Sequence, residues 1–275
     1  MLGLLLLQVL ASCLWLGHSE VVNSFASCPQ FFYAGTTPND ALNPKNPAWI
    51  CQRFSNSYHY ATLYDRDRRI PVYSAYKYQP GAGKRPDVEW FLEPQLIGKN
   101  NLKEMTQELT LTHNHKFTIE EIKESQAIPG DYTQLNGLDR GHLCPSGHME
   151  SVLSKTATFT QTNVVPQYRI LNNGQWNAYE SDTMDKMSNG CKNTFVITGA
   201  VPGNTFISNG RVNRPSHIWS AACCVVDKKT TKAWGAIADN DKNEVENITL
   251  GELEMRLTNL YKRTVTLFNN ACPRE

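Results

Sequence analysis

The sequence predicts a mixed α+β fold, and three observations carry that reading. Short β-branched and aromatic runs recur between turn residues: Ile70 to Tyr78 (IPVYSAYKY), Phe195 to Ala200 (FVITGA) and Ile218 to Val226 (IWSAACCVV). Two other stretches, 172–187 and 247–259, repeat apolar residues at helical steps. No repeat, low-complexity tract or linker divides the chain, and its 275 residues suffice for one sizeable core.

The elements follow in order. Residues 20–57 read as an irregular arm rich in Asn, Pro, Ser and Thr, tied down by Cys28 and Cys51. Tyr58 to Leu63 alternates as a strand, the charged turn Asp65 to Arg69 follows, and Ile70 to Tyr78 is a core strand. Gln79 to Lys84 is a glycine and proline loop, and part of 104–124 can be helical. Met149 to Thr158 is helix-like or turn-rich, and Phe159 to Val165 is extended and ends at Pro166. In the next helix Trp176, Tyr179, Thr183 and Met187 share a face, Asn172 is the N-cap and Asn189-Gly190 the stop. Two strands flank the Asp227 to Thr230 turn. A last helix starts near Thr249, with Glu252 completing a capping box and Leu253, Leu257 and Leu260 facing inward. Val265 to Phe268 closes the chain as a short strand or extended tail.

Residues 1–19 read as a signal peptide: Leu2 to Gly17 is almost wholly apolar and Gly17 and Ser19 are small. The expectation is a secreted chain without stable membrane insertion. Eight cysteines are present, and removal of Cys13 with the leader leaves seven, so at least one thiol is free or bonds between chains. Cys28 and Cys51 make a local pair, and Cys272 can staple the C-terminus. Cys223 and Cys224, adjacent on a strand, point to opposite faces and do not bond to each other. No Cys-x-x-Cys knuckle suggests a metal cluster. Asn247-Ile248-Thr249 is a glycosylation acceptor. The 27 Lys and Arg balance 26 Asp and Glu, which argues against a module held to nucleic acid by overall charge alone. A local basic cleft would still serve.

Chemistry concentrates in two places. Asp139-Arg140-Gly141-His142 packs ionisable groups into a glycine-bounded segment. A neutral His142 can take a proton from water, Arg140 can hold a phosphate, Asp139 can orient a neighbour, and Gly141 permits a tight bend. The second place holds Asn163, Asn172 and Glu180. An amide oxygen is a fitting ligand for a hard cation. Glu180 lies eight residues beyond Asn172, about 12 Å along a helix, so it acts through water or an arginine rather than beside Asn172 on one ion. His148, and the pair His113 and His115, read as packing or solvated side chains.

The ordered set Leu138-Asp139-Arg140-Gly141-His142-Leu143, Asn163-x-x-Pro166-Gln167, Asn172-x-Gly174-x-Trp176 and Glu180 resembles the DNA/RNA non-specific endonuclease family over roughly residues 60–268. The resemblance implies a central antiparallel sheet and a ββα-metal finger, with the nuclease domain spanning 58–275. It implies His142 as general base and Asn172 as the direct ligand of magnesium, which manganese or another divalent cation can replace. It implies Glu180 as organiser of the water around the metal, Asp139 as support and Arg140 beside the phosphate. Arg85 and Asn163 are assigned to substrate. Partners would be DNA or RNA, held by the phosphate backbone. Two other readings stay open: an inactive nuclease-like binding or scaffold protein, and a phosphatase or phosphodiesterase for small substrates.

Overall fold

The computed structural model describes residues 21–99 and 101–275; the expected leader lies outside the described residues. In chain order the principal strands are β1 (Val21–Val22), β2 (Pro47–Phe54), β3 (Ser57–Asp65), β4 (Ile70–Lys77), β5 (Leu138–His142), β6 (Val164–Tyr168), β7 (Asn193–Val201), β8 (His217–Val225), β9 (Thr231–Asp239) and β10 (Glu246–Ile248). Eight of them form one sheet in the order β1-β2-β3-β4-β7-β8-β9-β10. Every pairing in it is antiparallel. β5 and β6 form a separate ladder.

The sheet is covered on both faces, which explains why its central strands read as unbroken apolar runs. Along β8, Ile218, Ala222 and Cys224 face a layer holding Phe159, Trp176 and Met184. Trp219, Ala221 and Cys223 face the other layer, built from Phe25, Phe32, Leu253, Leu257 and Phe268. The period of two therefore sends the adjacent cysteines opposite ways, as expected. Cys224 bonds Cys191, Cys223 bonds Cys272 and Cys28 bonds Cys51. Cys144 is the free thiol among the described residues, and it is buried.

Four local expectations are corrected. Residues 47–54, placed in the irregular arm, form β2, which pairs along its length with β3. β6 continues through Pro166, which a proline can do in a two-stranded ladder because only one of its sides is paired. In the helix Leu250–Tyr261, Thr249 Oγ1 accepts from the Glu252 amide, but the Glu252 carboxylate turns to Arg256 at 2.7 Å, so only half of the capping box forms. The inner stripe of that helix is Leu250, Leu253 and Leu257, while Leu260 stays 36 % exposed. The closing segment is an unpaired extended tail that buries Val265, Leu267 and Phe268.

Cys223 and Cys272 are 49 residues apart, so removing their bond frees a long loop in the unfolded chain. The double variant Cys223→Ala/Cys272→Ala should lose about 3–4 kcal/mol of stability. Urea unfolding measures this, and an unchanged midpoint would contradict the staple.

Candidate active site

β5 and β6 pair from Leu138 with Tyr168 to His142 with Val164. A helical run begins directly after β6 with Arg169–Asn173. Two strands and a helix thus form one unit against the main sheet. Gly141 does not supply a bend. Its backbone is extended, and an added Cβ would lie 2.0 Å from Gln167 Oε1 and 2.6 Å from Gln167 Cβ, so the ladder needs glycine for close approach.

The chain between the two strands is closed by Asn163. Its side chain, expected to meet substrate, is fully buried. Asn163 Oδ1 accepts from the Cys144 amide at 3.0 Å and from Ser74 Oγ at 2.9 Å. Its Nδ2 donates to the carbonyls of Cys144 and Thr158, both at 3.0 Å. With the Leu143 amide on the Asn163 carbonyl at 2.9 Å, the residue after His142 is fixed on both sides. Ser74 belongs to β4, so the same amide fastens the unit to the sheet.

Asp139 joins strand to helix. Its carboxylate accepts from Arg169 Nε at 2.8 Å and Asn173 Nδ2 at 2.7 Å. Arg140 donates to the Pro129 carbonyl at 2.9 Å, and its guanidinium lies 5.1 Å from both the Trp90 and Tyr132 rings. His142 sits between Trp90 and Phe159, with ring centroids at 5.4 and 5.2 Å. Arg85 reaches over the other side of the group, 5.0 Å from the Phe159 ring centre. Burial lowers the His142 imidazole to about 3, and the Arg85 charge pushes the same way. The ring is therefore neutral at pH 7, and its Nε2 is buried without a hydrogen-bond partner in the chain.

The helical run is not a regular helix capped by Asn172. It starts at Arg169 and breaks at Gly174, whose φ/ψ of −107°/−113° is non-helical. It then passes through Gln175–Ala178 and a π-helical turn, Tyr179–Thr183, before Met184–Ser188. The π turn puts Met184 rather than Thr183 in the core. The stop at Asn189-Gly190 is as expected, with Gly190 at φ +79°. Glu180 Oε1 accepts from Trp176 Nε1 at 2.9 Å. Burial pushes its carboxyl up to about 8, against that hydrogen bond and the Arg85 charge.

A cavity of about 720 Å³ gathers Arg85, Asp139, Arg140, His142, Asn172 and Glu180 on its walls. Asn163 is the one expected site residue outside that wall. Asn172 is half-buried beside the cavity. The donor set, an amide oxygen with a carboxylate beyond it, fits a hard divalent cation. Among the described residues no group of three or more His, Cys, Asp or Glu is placed to hold a metal. Cys144 contacts Met149 Sδ, and burial raises its thiol well above the usual range, so it is no nucleophile. His148 is a buried packing residue that bridges Tyr76 OH (3.0 Å) and the Glu180 carbonyl (2.8 Å). His113 and His115 are exposed. Trp90, Phe159 and Arg169 belong to the site and were not anticipated. Only Arg169 had a local signal, since it lies one helical turn before Asn173 and both reach Asp139.

A histidine-bearing ββα unit packed on a large antiparallel sheet is the class of protein that this fold and cavity define. The model of the DNA/RNA non-specific endonuclease family matches residues 37–275, and the chain belongs to that family. It is 32 % identical over 239 residues to the mouse endonuclease domain-containing 1 protein, covering 85 % of this chain and 46 % of that one. Identity to the human endonuclease domain-containing 1 protein is 30 % over 253 residues, covering 90 % and 48 %. The chain thus spans about half the length of these relatives. Its fold is also similar to a chain in the crystal structure of the EndoG/EndoGI complex, with a TM-score of 0.52, 16 % identity, and coverage of 78 % of this chain and 84 % of that one.

The two asparagines make a contrast that unfolding can measure. Asn163→Ala strips partners from buried backbone groups and should cost about 3 kcal/mol. Asn172→Ala, on the cavity wall, should stay within about 0.5 kcal/mol. Equal losses in urea unfolding would refute the division between them.

Proposed function

We propose that this chain is a secreted, magnesium-dependent endonuclease that hydrolyses phosphodiester bonds of DNA and RNA with little regard to sequence. The observation that carries the reading is the neutral His142 sharing one cavity with Arg85, Arg140, Asn172 and Glu180. Its neutral ring takes the proton of an attacking water. Arg85 and Arg140 face the same space and offset the charge that builds on phosphorus oxygens as attack proceeds. Asp139 holds strand and helix in register and touches no reacting atom. Asn172 would hold the divalent cation and Glu180 would order the water around it. The cation, when bound, supplies Lewis-acid stabilisation of the phosphate and the leaving oxygen. Attack with loss of the 3′-oxygen leaves 5′-phosphate and 3′-hydroxyl ends.

Contacts from two arginines to phosphate position a strand without reading its bases, which supports low sequence specificity. Three disulfides are consistent with an oxidising compartment. Among the described residues no helix is long and apolar enough to cross a membrane. Asn247, exposed on β10, is available for a glycan.

His142→Ala should abolish plasmid and RNA cleavage while leaving the unfolding curve cooperative. Chelation should silence the wild type, and Asn172→Ala should regain activity as magnesium is raised. Full cleavage by His142→Ala would refute the assignment.

The pH profile offers a separate check. His142 stays unprotonated from about pH 3 upward, so it gives no loss of rate near its ordinary value. Glu180, raised to about 8, is protonated at neutral pH before the cation arrives, and proton and cation compete for it. The acid limb of kcat/KM should therefore move to lower pH as magnesium is raised. A limb fixed near 6.5 at every magnesium concentration would contradict both assignments.

A further inference from the structure

One end of the main sheet collects lysines, although the whole chain carries a net charge of only +1. The register fixes this. Lys77 ends β4 opposite Phe195. The Lys192 amide donates to the Val225 carbonyl at 2.7 Å, and Lys232 lies opposite Cys224. Lys228 and Lys229 form the exposed turn between β8 and β9. Lys186 joins them from the helix Met184–Ser188. Two carboxylates share the region, Asp185 and Asp227. Asp227 Oδ1 already accepts the amides of Lys229 (2.8 Å) and Thr230 (2.9 Å).

Among the described residues no carboxylate stands within salt-bridge distance of Lys186, Lys192, Lys228 or Lys229. By contrast, Lys242 and Arg68, at the opposite end of the sheet, are both paired. The Lys192 charge does act on Asp227, but the six lysines outnumber the two carboxylates, and such an excess of like charge costs stability through self-repulsion and favours an anionic partner.

The patch is continuous with the site. A second hollow of about 500 Å³ is lined by Lys186 and Lys192, with one carboxylate, Asp185, on the same wall, and it shares Tyr78 and Pro80 with the cavity of His142. The two hollows therefore adjoin at Tyr78 and Pro80. The disulfide Cys191–Cys224 pins the residue before Lys192 to β8. The lysine ammonium therefore projects from a fixed piece of backbone.

We propose that this lysine end of the sheet grips the phosphate backbone of a nucleic-acid strand where it leaves the His142 cavity past Tyr78 and Pro80. The inference rests on the nuclease reading and extends it from the scissile phosphate to the phosphates several nucleotides away. Each lysine that neutralises a phosphate releases a counterion, so binding carries a salt dependence that counts the contacts.

The test compares Lys192→Ala/Lys228→Ala with a charge-matched control, Lys45→Ala/Lys262→Ala, at the opposite end of the sheet. Binding of a fluorescent DNA duplex is measured at several salt concentrations with each pair placed in the His142→Ala background. Cleavage of long DNA and of bis(p-nitrophenyl) phosphate is measured with each pair in the otherwise native chain. The track pair should bind about tenfold more weakly at low salt and flatten the log–log salt slope by about 2. Its KM for long DNA should rise while turnover of the small diester is unchanged. The control pair should change none of these. Equal effects from both pairs, or none from the track pair, would overturn the proposal. If the native chain cuts no nucleic acid yet binding depends on the track pair alone, the nuclease reading fails and the track stands.

Discussion

The side-chain amide of Asn163 is the constraint on which the site depends. β5 and β6 are joined by a 21-residue excursion, 143–163, and nothing in a ladder of five pairs would fix where such a long connection begins and ends. The four hydrogen bonds of Asn163 do so. They bind the start of the excursion at Cys144, its later part at Thr158, and the main sheet at Ser74. His142 immediately precedes this clamp, so its backbone inherits the rigidity of the sheet. Cys144 contributes a buried thiol and no covalent tie. The firmness of the base therefore comes from an amide rather than from a disulfide.

Around the clamp, burial does electrostatic work. Trp90 and Phe159 flank the His142 ring, and the burial they help to provide lowers its pKa. The same rings give Arg85 and Arg140 faces to rest on, and among the described residues neither stands within salt-bridge distance of a carboxylate. Arg169 differs, because Asp139 takes its charge. The cavity thus separates cations that support the fold from cations left available to a phosphate. The lysines at the far end of the sheet belong to the available kind. Two of them, Lys186 and Lys192, line the hollow that adjoins the cavity at Tyr78 and Pro80.

Much of this was legible in the sequence, and the limits have physical causes. The β7 and β8 runs declared themselves because strands buried on both faces are apolar throughout. The short spacings of His142, Asp139, Asn172 and Glu180 within a strand and a helical run picked out residues that line one cavity. Asn163 carries no such signal, since its type suits both a clamp and a ligand and its burial follows only from the fold. Trp90 and Phe159 are 69 residues apart in the chain and meet only through tertiary packing, so no local pattern marks them. β2 was lost because the composition of the preceding arm, rich in Asn and Pro, was carried too far along the chain.

The helical run departs from the regular helix that ideal geometry assumes. Eight residues along a regular helix turn the side chain by about 80° beyond two full circles and advance it about 12 Å. Asn172 and Glu180 on such a helix would diverge in direction as well as in height. Here the break at Gly174 and the π turn at Tyr179–Thr183 replace regular hydrogen bonding between and after them. Glycine is needed at the break, since a Cβ would lie 2.4 Å from both the Ile170 carbonyl and Asn243 Oδ1. Both residues then reach one cavity. Trp176 fills the core and spends its indole N–H on Glu180, so the carboxyl is held by the same segment that bends. A π turn gives up regular helical hydrogen bonding, is rare, and is frequent at functional sites. Here the turn contains Glu180 itself, so the irregular backbone carries the carboxyl that lines the cavity.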